Sequence, residues 1–411
     1  MKLSLFPLLL AVSLPHKVAL DDVPTGFEFF NSKCDPSCIF EPYHIDSDVL
    51  KSFPRHCATV CGYLLFDKTT DVSEEVLAPV FENMRTLYGF LNIKFTNFKS
   101  VKFLEKLETI ECESPQDQLL IIGNKGLLEV GMQNLTSVSC GVEIAGNLNM
   151  TKLELPNLKN FGTNETEEII VLIPNDSPEF CFTVQEITNF FSSNRISEYH
   201  LAGRYCEFES MPPLTNIVIC EIKNFSLTDF DTSCQRVFGS VLVRRGDERN
   251  VRKLENLTWI YGELLIHGTN LKTIDFLDNL ENVISLRDYS TDSPIAQDNP
   301  AIQIYDNPNL IDANFPKLKN AFSFHHAIQF RTNHESLVLD PRVCFKIENQ
   351  LNSTRGGVLM DWKTCGMLQS EKIARDVAEM EARLGATTQG GSFAKLEFPM
   401  ALILVVFQRY Q

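Results

Sequence analysis

Residues 88–110, YGFLNIKFTNFKSVKFLEKLETI, return at 261–283 as YGELLIHGTNLKTIDFLDNLENV, so whatever the first stretch folds into, the chain must build twice. Eleven of the twenty-three positions are identical at a shift of 173, and Val101/Ile274, Glu105/Asp278 and Ser100/Thr273 are like for like. Cys61 and Cys234 obey the same shift, 27 residues ahead of the Tyr-Gly in each copy. Each copy closes on a strand-like run and a cysteine, IIVLIPNDSPEFC to Cys181 and AIQFRTNHESLVLDPRVC to Cys344. The duplicated units are therefore 61–181 and 234–344, with an N-terminal cysteine segment at 21–60 and a linker at 182–233.

A shorter period runs inside each unit. LNIKFTN, LLIIGN, VEIAGN and IVLIPN in the first, and LLIHGTN, IQIYDN and IQFRTN in the second, are alternating apolar segments that end in asparagine. Leucine-centred punctuations (FLEKLETI, MQNLTSV, LPNLKNF, FLDNLENV, FPKLKNA) separate them at roughly 20–28 residues, the range of stacked repeats. A strand this short buries one face and cannot stand alone. Stacking such strands in parallel merges their inward side chains into one core. The expected fold is mostly β: two tandem right-handed β-helices, leucine-rich-like solenoids. Asparagine tolerates the left-handed corner after a strand. That predicts ladders of Asn97, Asn124, Asn147 and Asn175, and of Asn270, Asn307 and Asn333.

Alternation then separates the faces. With Leu91, Ile93, Ile144, Leu264, Ile266, Ile302 and Ile304 inward, the first unit shows Phe90, Asn92, Lys94 and Glu143 to solvent. The second shows Glu263, Leu265, His267, Gln303, Tyr305, Gln329 and Arg331. Phe90, Leu265 and Tyr305 are apolar or aromatic on a face that should be wet, which makes these strands the candidate ligand-binding surface. Packing beneath a loop or against the other unit is the rival explanation.

A net charge of −16 speaks against nucleic acid, whose phosphates need a basic face. MKLSLFPLLLAVSLPHKVAL, residues 1–20, reads as a signal peptide: Lys2, then an apolar run too short to span a bilayer. Twelve cysteines and seven Asn-x-Ser/Thr triplets agree with export to an oxidising compartment. The C-terminal segment 345–385 carries a helix-like stretch at 371–384 that should stop at Gly385, and the tail 386–411 holds the apolar run Phe398–Phe407. That run is short for a transmembrane helix; free secretion and a surface anchor both fit it.

Catalytic and metal signals are weak. His334-Glu335 lacks the second histidine of a zinc protease, and there is no Gly-x-Ser-x-Gly. His325-His326 reads as a solvated pair, and Asp275, Asp278, Asp288 and Asp292 as ordinary turn carboxylates. No cofactor is expected. The repeated Cys-x3-Cys spacing of Cys34, Cys38, Cys57 and Cys61 admits zinc, but disulfides suit an exported chain better.

Two units opened and closed by cysteines, carrying YG.L.I..TN....FL..LE, I.I..N..L and NDSPEFC, resemble the receptor L domains of the insulin and EGF receptor ectodomains. The likeness covers about 34–365 and is nearest in form to stand-alone, nematode-type receptor L-domain proteins. The cysteine-rich module of those receptors is missing, since the linker holds only Cys206 and Cys220, and no kinase motif is present. The resemblance implies pairs Cys181–Cys206 and Cys344–Cys365. Within the same frame, Cys112 and Cys140 follow consecutive punctuations and should bridge two rungs, and Cys220–Cys234 should staple the start of the second unit. The pairing of Cys34, Cys38, Cys57 and Cys61 stays open. The resemblance also points to the strand face as the holder of an insulin-like or EGF-like peptide, or of a receptor ectodomain. A structural or adhesive solenoid is the alternative, and a glycan-acting β-solenoid enzyme a distant third. Glycans are expected at Asn134, Asn149, Asn164, Asn224, Asn256 and Asn352, but not at Asn175, which the ladder would occupy.

Overall fold

The computed structural model describes residues 26–114, 117–162, 169–174, 177–193, 196–208, 217–223, 225–286, 300–323, 326–352 and 357–388. Residues 1–20, read above as a signal peptide, and Asn164, Asn175, Asn224, Asp288, Asp292, His325 and the tail 389–411 lie outside them.

Along the first unit, strands alternate between two parallel sheets. Thr59–Gly62, Thr86–Tyr88, Thr109–Glu111, Ser137–Val138 and Asn160–Phe161 form a back sheet, with Ile39–Phe40 at its edge. Leu64–Phe66, Leu91–Lys94, Gln118–Ile122, Gly141–Ala145, Ile169–Pro174 and Ile196–Ala202 form a front sheet. The second unit repeats this. Its back sheet is Ile219–Glu221, Arg236–Phe238, Trp259–Tyr261, Asn282–Ile284 and Asn320–Phe322. Its front sheet is Val241–Arg244, Leu264–His267, Ile302–Tyr305, Ile328–Arg331 and Val358–Met360, with Lys363–Thr364 antiparallel at the end. Two parallel sheets, rather than a closed coil of strands, make up each cross-section. Short 3-10 turns such as Lys102–Leu104 and Asp275–Leu277 occupy the punctuations instead, and bury Phe103, Leu104, Phe276 and Leu277. The inward residues Leu91, Ile93, Ile144, Leu264, Ile266, Ile302 and Ile304 are all fully buried.

The repeated Tyr-Gly is the corner from back strand to front strand. Gly89 and Gly262 have φ of 133° and 153°, and a Cβ there would sit 2.0 and 2.5 Å from the carbonyl oxygens of Gly62 and Gly239. Both the dihedral and the space exclude a side chain. Gly89→Ala is expected to cost at least about 2 kcal/mol, read as a lowered urea midpoint.

The asparagine ladder exists, one residue away from where the sequence places it in two rungs. The left-handed corners are Phe95, Gly123, Gly146, Gly268, Asp306 and Thr332, and the ladder residue is the one that follows. It is therefore Thr96 and Thr269, both buried, while Asn97 and Asn270 are exposed. Asn124 Oδ1 accepts from Thr96 N (2.9 Å) and Thr96 Oγ1 (2.8 Å), and its Nδ2 donates to Ile93 O (2.9 Å) and Asn147 Oδ1 (3.2 Å). Asn307 repeats the pattern: its Oδ1 accepts from Thr269 N and Oγ1, and its Nδ2 donates to Ile266 O (3.1 Å) and Asn333 Oδ1 (2.9 Å).

Residues 182–233 are more than a tether. Ile196–Ala202 pairs with Ile169–Pro174, and Ile219–Glu221 with Arg236–Phe238, so both units extend into the link. The helix Val184–Ser192 between them starts from a capping box in which Thr183 and Glu186 satisfy each other's backbone N–H groups. Its apolar side docks on the second unit's back sheet. Phe191 packs on Phe322 (5.2 Å between centroids), Thr188 Oγ1 meets Tyr261 OH at 2.6 Å, and Arg236 Nη1 donates to the same oxygen at 2.8 Å. Asn320 Nδ2 donates to Phe191 O, and Tyr205 OH to Ile284 O. Trp259, Tyr261, Ile284 and Phe322 thereby belong to the core of the first unit.

All twelve cysteines are bonded, as Cys34–Cys61, Cys38–Cys57, Cys112–Cys140, Cys181–Cys206, Cys220–Cys234 and Cys344–Cys365. The C-terminal helix runs Cys365–Thr388, through Gly385 rather than stopping there. A glycine inside a helix costs only about 1 kcal/mol and does not by itself end one. No helix among the described residues is long and apolar enough to cross a membrane.

Candidate ligand-binding faces

Parallel register stacks outward side chains in rows across each front sheet. In the first unit one row is Leu65, Asn92, Leu120, Glu143, Leu172 and His200. His44 extends it through a parallel bridge to Leu65, and pairs with Asp67 at 3.3 Å. A second row runs Lys94, Ile122 and Ala145. The face is therefore more apolar than alternation suggested: Leu65, Leu120, Ile122 and Leu172 join Phe90. Leu120, Ile122 and Leu172 sit in the runs LLIIGN and IIVLIPN, and such unbroken apolar runs carry apolar side chains on both faces.

At the N-terminal edge the face ends in an aromatic cluster. Phe90 stacks on Tyr63 (4.5 Å, 20°), and Tyr43 meets Phe90 edge-on at 5.6 Å. Tyr63 OH donates to the Glu113 carboxylate; burial, then that hydrogen bond, pushes the Tyr63 phenol well above its ordinary value. Burial also raises the Asp117 carboxyl nearby. Asn92, expected to be wet, is only 8 % exposed, because Leu65 and Leu120 flank it in register on both neighbouring strands. Its Oδ1 is buried without a hydrogen-bond partner among the described residues.

The second face has different chemistry. One row is Leu242, Leu265, Gln303, Gln329 and Leu359; the next is Arg244, His267, Tyr305 and Arg331. Gln329 is the other correction: at 7 % exposure it is covered, between Gln303 and Leu359. His267 stacks on Tyr305 (5.2 Å, 16°), and the Arg331 guanidinium lies 4.9 Å from Tyr305 and 5.5 Å from Trp362. Trp362, 64 % exposed, ends this stack; it follows a left-handed Asp361 in a turn whose sequence carries no repeat signal. Glu263 sits at the corner preceding its strand, outside both rows.

Two other readings find little geometry. Cys38, His56 and Cys57 form a cluster of metal-ligand type, but both sulfurs are spent in their disulfide. Asp275 is paired with Arg252 at 2.6 Å, and that guanidinium holds its carboxyl below the usual range. Asn134, Asn149, Asn256 and Asn352 are exposed.

The family model described as Receptor L domain matches residues 56–147 and 233–349, which together make up half of the chain. Each segment covers the middle strands of one front and back sheet pair. No curated protein matches the chain. Receptor L domains are ligand- and receptor-binding modules, and six disulfides with that family fit an extracellular setting.

Proposed function

The chain belongs to the receptor L-domain family, and on that premise we propose that it is a non-catalytic, exported protein that captures a peptide or a receptor ectodomain on its front sheets. The units at 61–181 and 234–344 serve as two right-handed solenoid modules on one chain. The observation that carries the reading is the apolar row of the first face. Leu65, Leu120, Ile122 and Leu172, each half-buried, lie on the sheet face whose edge carries the Phe90/Tyr63 stack. Contiguous apolar surface that stays partly open to solvent points to an interaction site, and stacked aromatics supply rigid anchors. Glu113 and Asp117 at the aromatic edge, on a chain of net charge −16, favour a ligand with an apolar side and basic neighbours. Insulin-like and EGF-like peptides, and the ectodomains of their receptors, are the partners this family suggests. Lacking a kinase, the chain would act by sequestering ligand or by joining a receptor.

The test is direct binding by the secreted chain to insulin-like peptides, EGF-like peptides and the receptor ectodomains. Phe90→Ala with Leu120→Ala is expected to weaken capture at least about tenfold, the effect of removing an interface anchor. Tyr305→Ala reports separately on the second face. Saturable binding unaffected by either change would remove the strand faces from the mechanism. A panel that binds nothing would move the adhesive reading to first place.

A further inference from the structure

Three of the glycosylation triplets share one recurring geometry. They are Asn134-Leu-Thr136, Asn149-Met-Thr151 and Asn256-Leu-Thr258. In each, the asparagine Nδ2 donates to a carbonyl one rung back: Glu105 O at 2.8 Å, Lys125 O at 2.8 Å and Thr232 O at 3.0 Å. In each, the threonine hydroxyl donates to the carbonyl three residues further on: Glu108 O at 3.0 Å, Leu128 O at 3.3 Å and Gln235 O at 3.0 Å. The threonine N–H reaches that same oxygen at 2.8 Å in all three. The triplet is thus a two-point tie between neighbouring rungs. Its amide half also occurs without a glycosylation signal. Asn157 Nδ2 donates to Gln133 O and Asn279 Nδ2 to Glu255 O, both at 2.8 Å, where the third residue is Lys159 or Glu281.

We propose that Asn134, Asn149 and Asn256 carry N-linked glycans on the same nitrogen that ties one rung to the next, so that the rung survives glycosylation but not conversion of the linkage to aspartate. The proposal rests on the exported reading above. Transfer from a lipid-diphosphate sugar donor forms the bond from the sugar C1 to Nδ2, breaks C1–O to the diphosphate, and removes one of the two amide hydrogens. One N–H remains, enough for the carbonyl. All three asparagines are exposed, leaving room for the sugar. Hydrolysis by a glycan amidase is different. Water cleaves Cγ–Nδ2, the nitrogen leaves on the sugar as a glycosylamine, and a carboxylate is left facing a carbonyl, two acceptors with no donor between them. Trimming by an endoglycosidase cuts between sugars and keeps Nδ2 in place.

The experiment uses the full secreted chain in three portions: untreated, endoglycosidase-trimmed and amidase-treated, with the mass of each glycopeptide confirming the chemistry. Trimmed protein should melt within about 1–2 °C of untreated, and amidase-treated protein about 3–6 °C lower, the shift for losing the three Nδ2 hydrogen bonds in a chain this size. Asn157→Asp and Asn279→Asp, which never carry sugar, should lower the midpoint in the same way. Unmodified Asn134, Asn149 and Asn256 in the exported chain would overturn the glycan assignment. Equal midpoints after trimming and after verified hydrolysis would overturn the tie. If the chain proves not to be exported, the sugar arms fall silent together, whereas the Asn157 and Asn279 variants still decide whether the tie exists.

Discussion

Asn124→Ala is expected to lower the unfolding free energy by about 4 kcal/mol, because it strands several buried polar groups at once and each costs about 1–3 kcal/mol without a partner. Asn124 is fully buried and serves three rungs. From its own rung its side chain receives Thr96 and reaches Ile93 O in the rung before, and donates to Asn147 in the rung after. Its removal leaves Thr96 N and Ile93 O with no replacement and opens a void that water enters only by disrupting the stack. Asn307→Ala should cost a similar amount, since its partners are the same groups one unit later. Asn97→Ala, on an exposed residue of the same type in the same segment, should change stability by less than about 0.5 kcal/mol. Urea unfolding of the three variants separates them. Equal losses at Asn97 and Asn124 would mean that the ladder does not carry the load.

The second large effect is expected at the junction. Phe191→Ala removes a ring that is 2 % exposed and packed on Phe322, so about 3–4 kcal/mol should be lost from the contact between units. The two cores then have less reason to melt together. The wild-type chain should unfold in one calorimetric transition and the variant in two, as coupling across the interface falls below what cooperativity requires. Tyr261→Phe is the finer probe. It keeps the ring and takes away only the hydroxyl that Thr188 and Arg236 share, so it should cost about 1 kcal/mol and leave a single transition. A single transition in Phe191→Ala would show that the disulfides and paired strands of the link suffice to couple the units.

Duplication and period two made most of the interior legible. Positions such as Ile93 and Ile266 could be assigned inward from the sequence because every rung obeys the same alternation. The ladder was harder to place. FTN, GTN and RTN each offer two adjacent residues able to bond backbone, and the choice depends on which residue takes the left-handed turn. In KFTN the turn falls on Phe95 and brings Thr96 inward, whereas in FRTN it falls on Thr332 and brings Asn333 inward. A bulky phenylalanine in that conformation is not something propensity anticipates. The covered state of Asn92 and Gln329 was hidden for another reason: exposure on a sheet depends on flanking strands some 26–30 residues away in sequence, and alternation describes only one strand at a time. The docking of Val184–Ser192 lay beyond the repeat altogether, since nothing in either copy matches that helix.

Register gives this chain an address system. Because strands stack in parallel with matching residues aligned, an outward position is specified by two coordinates: the rung it belongs to and its parity along the strand. Inward residues, corner glycines and ladder residues hold those coordinates constant. The outward ones are then free to change singly, so that rewriting Leu120 or Gln303 alters one cell of the grid and leaves its neighbours where they were. A family built on such a scaffold can acquire new partners by editing cells, with turn lengths absorbing insertions between rungs, and without refounding the fold each time.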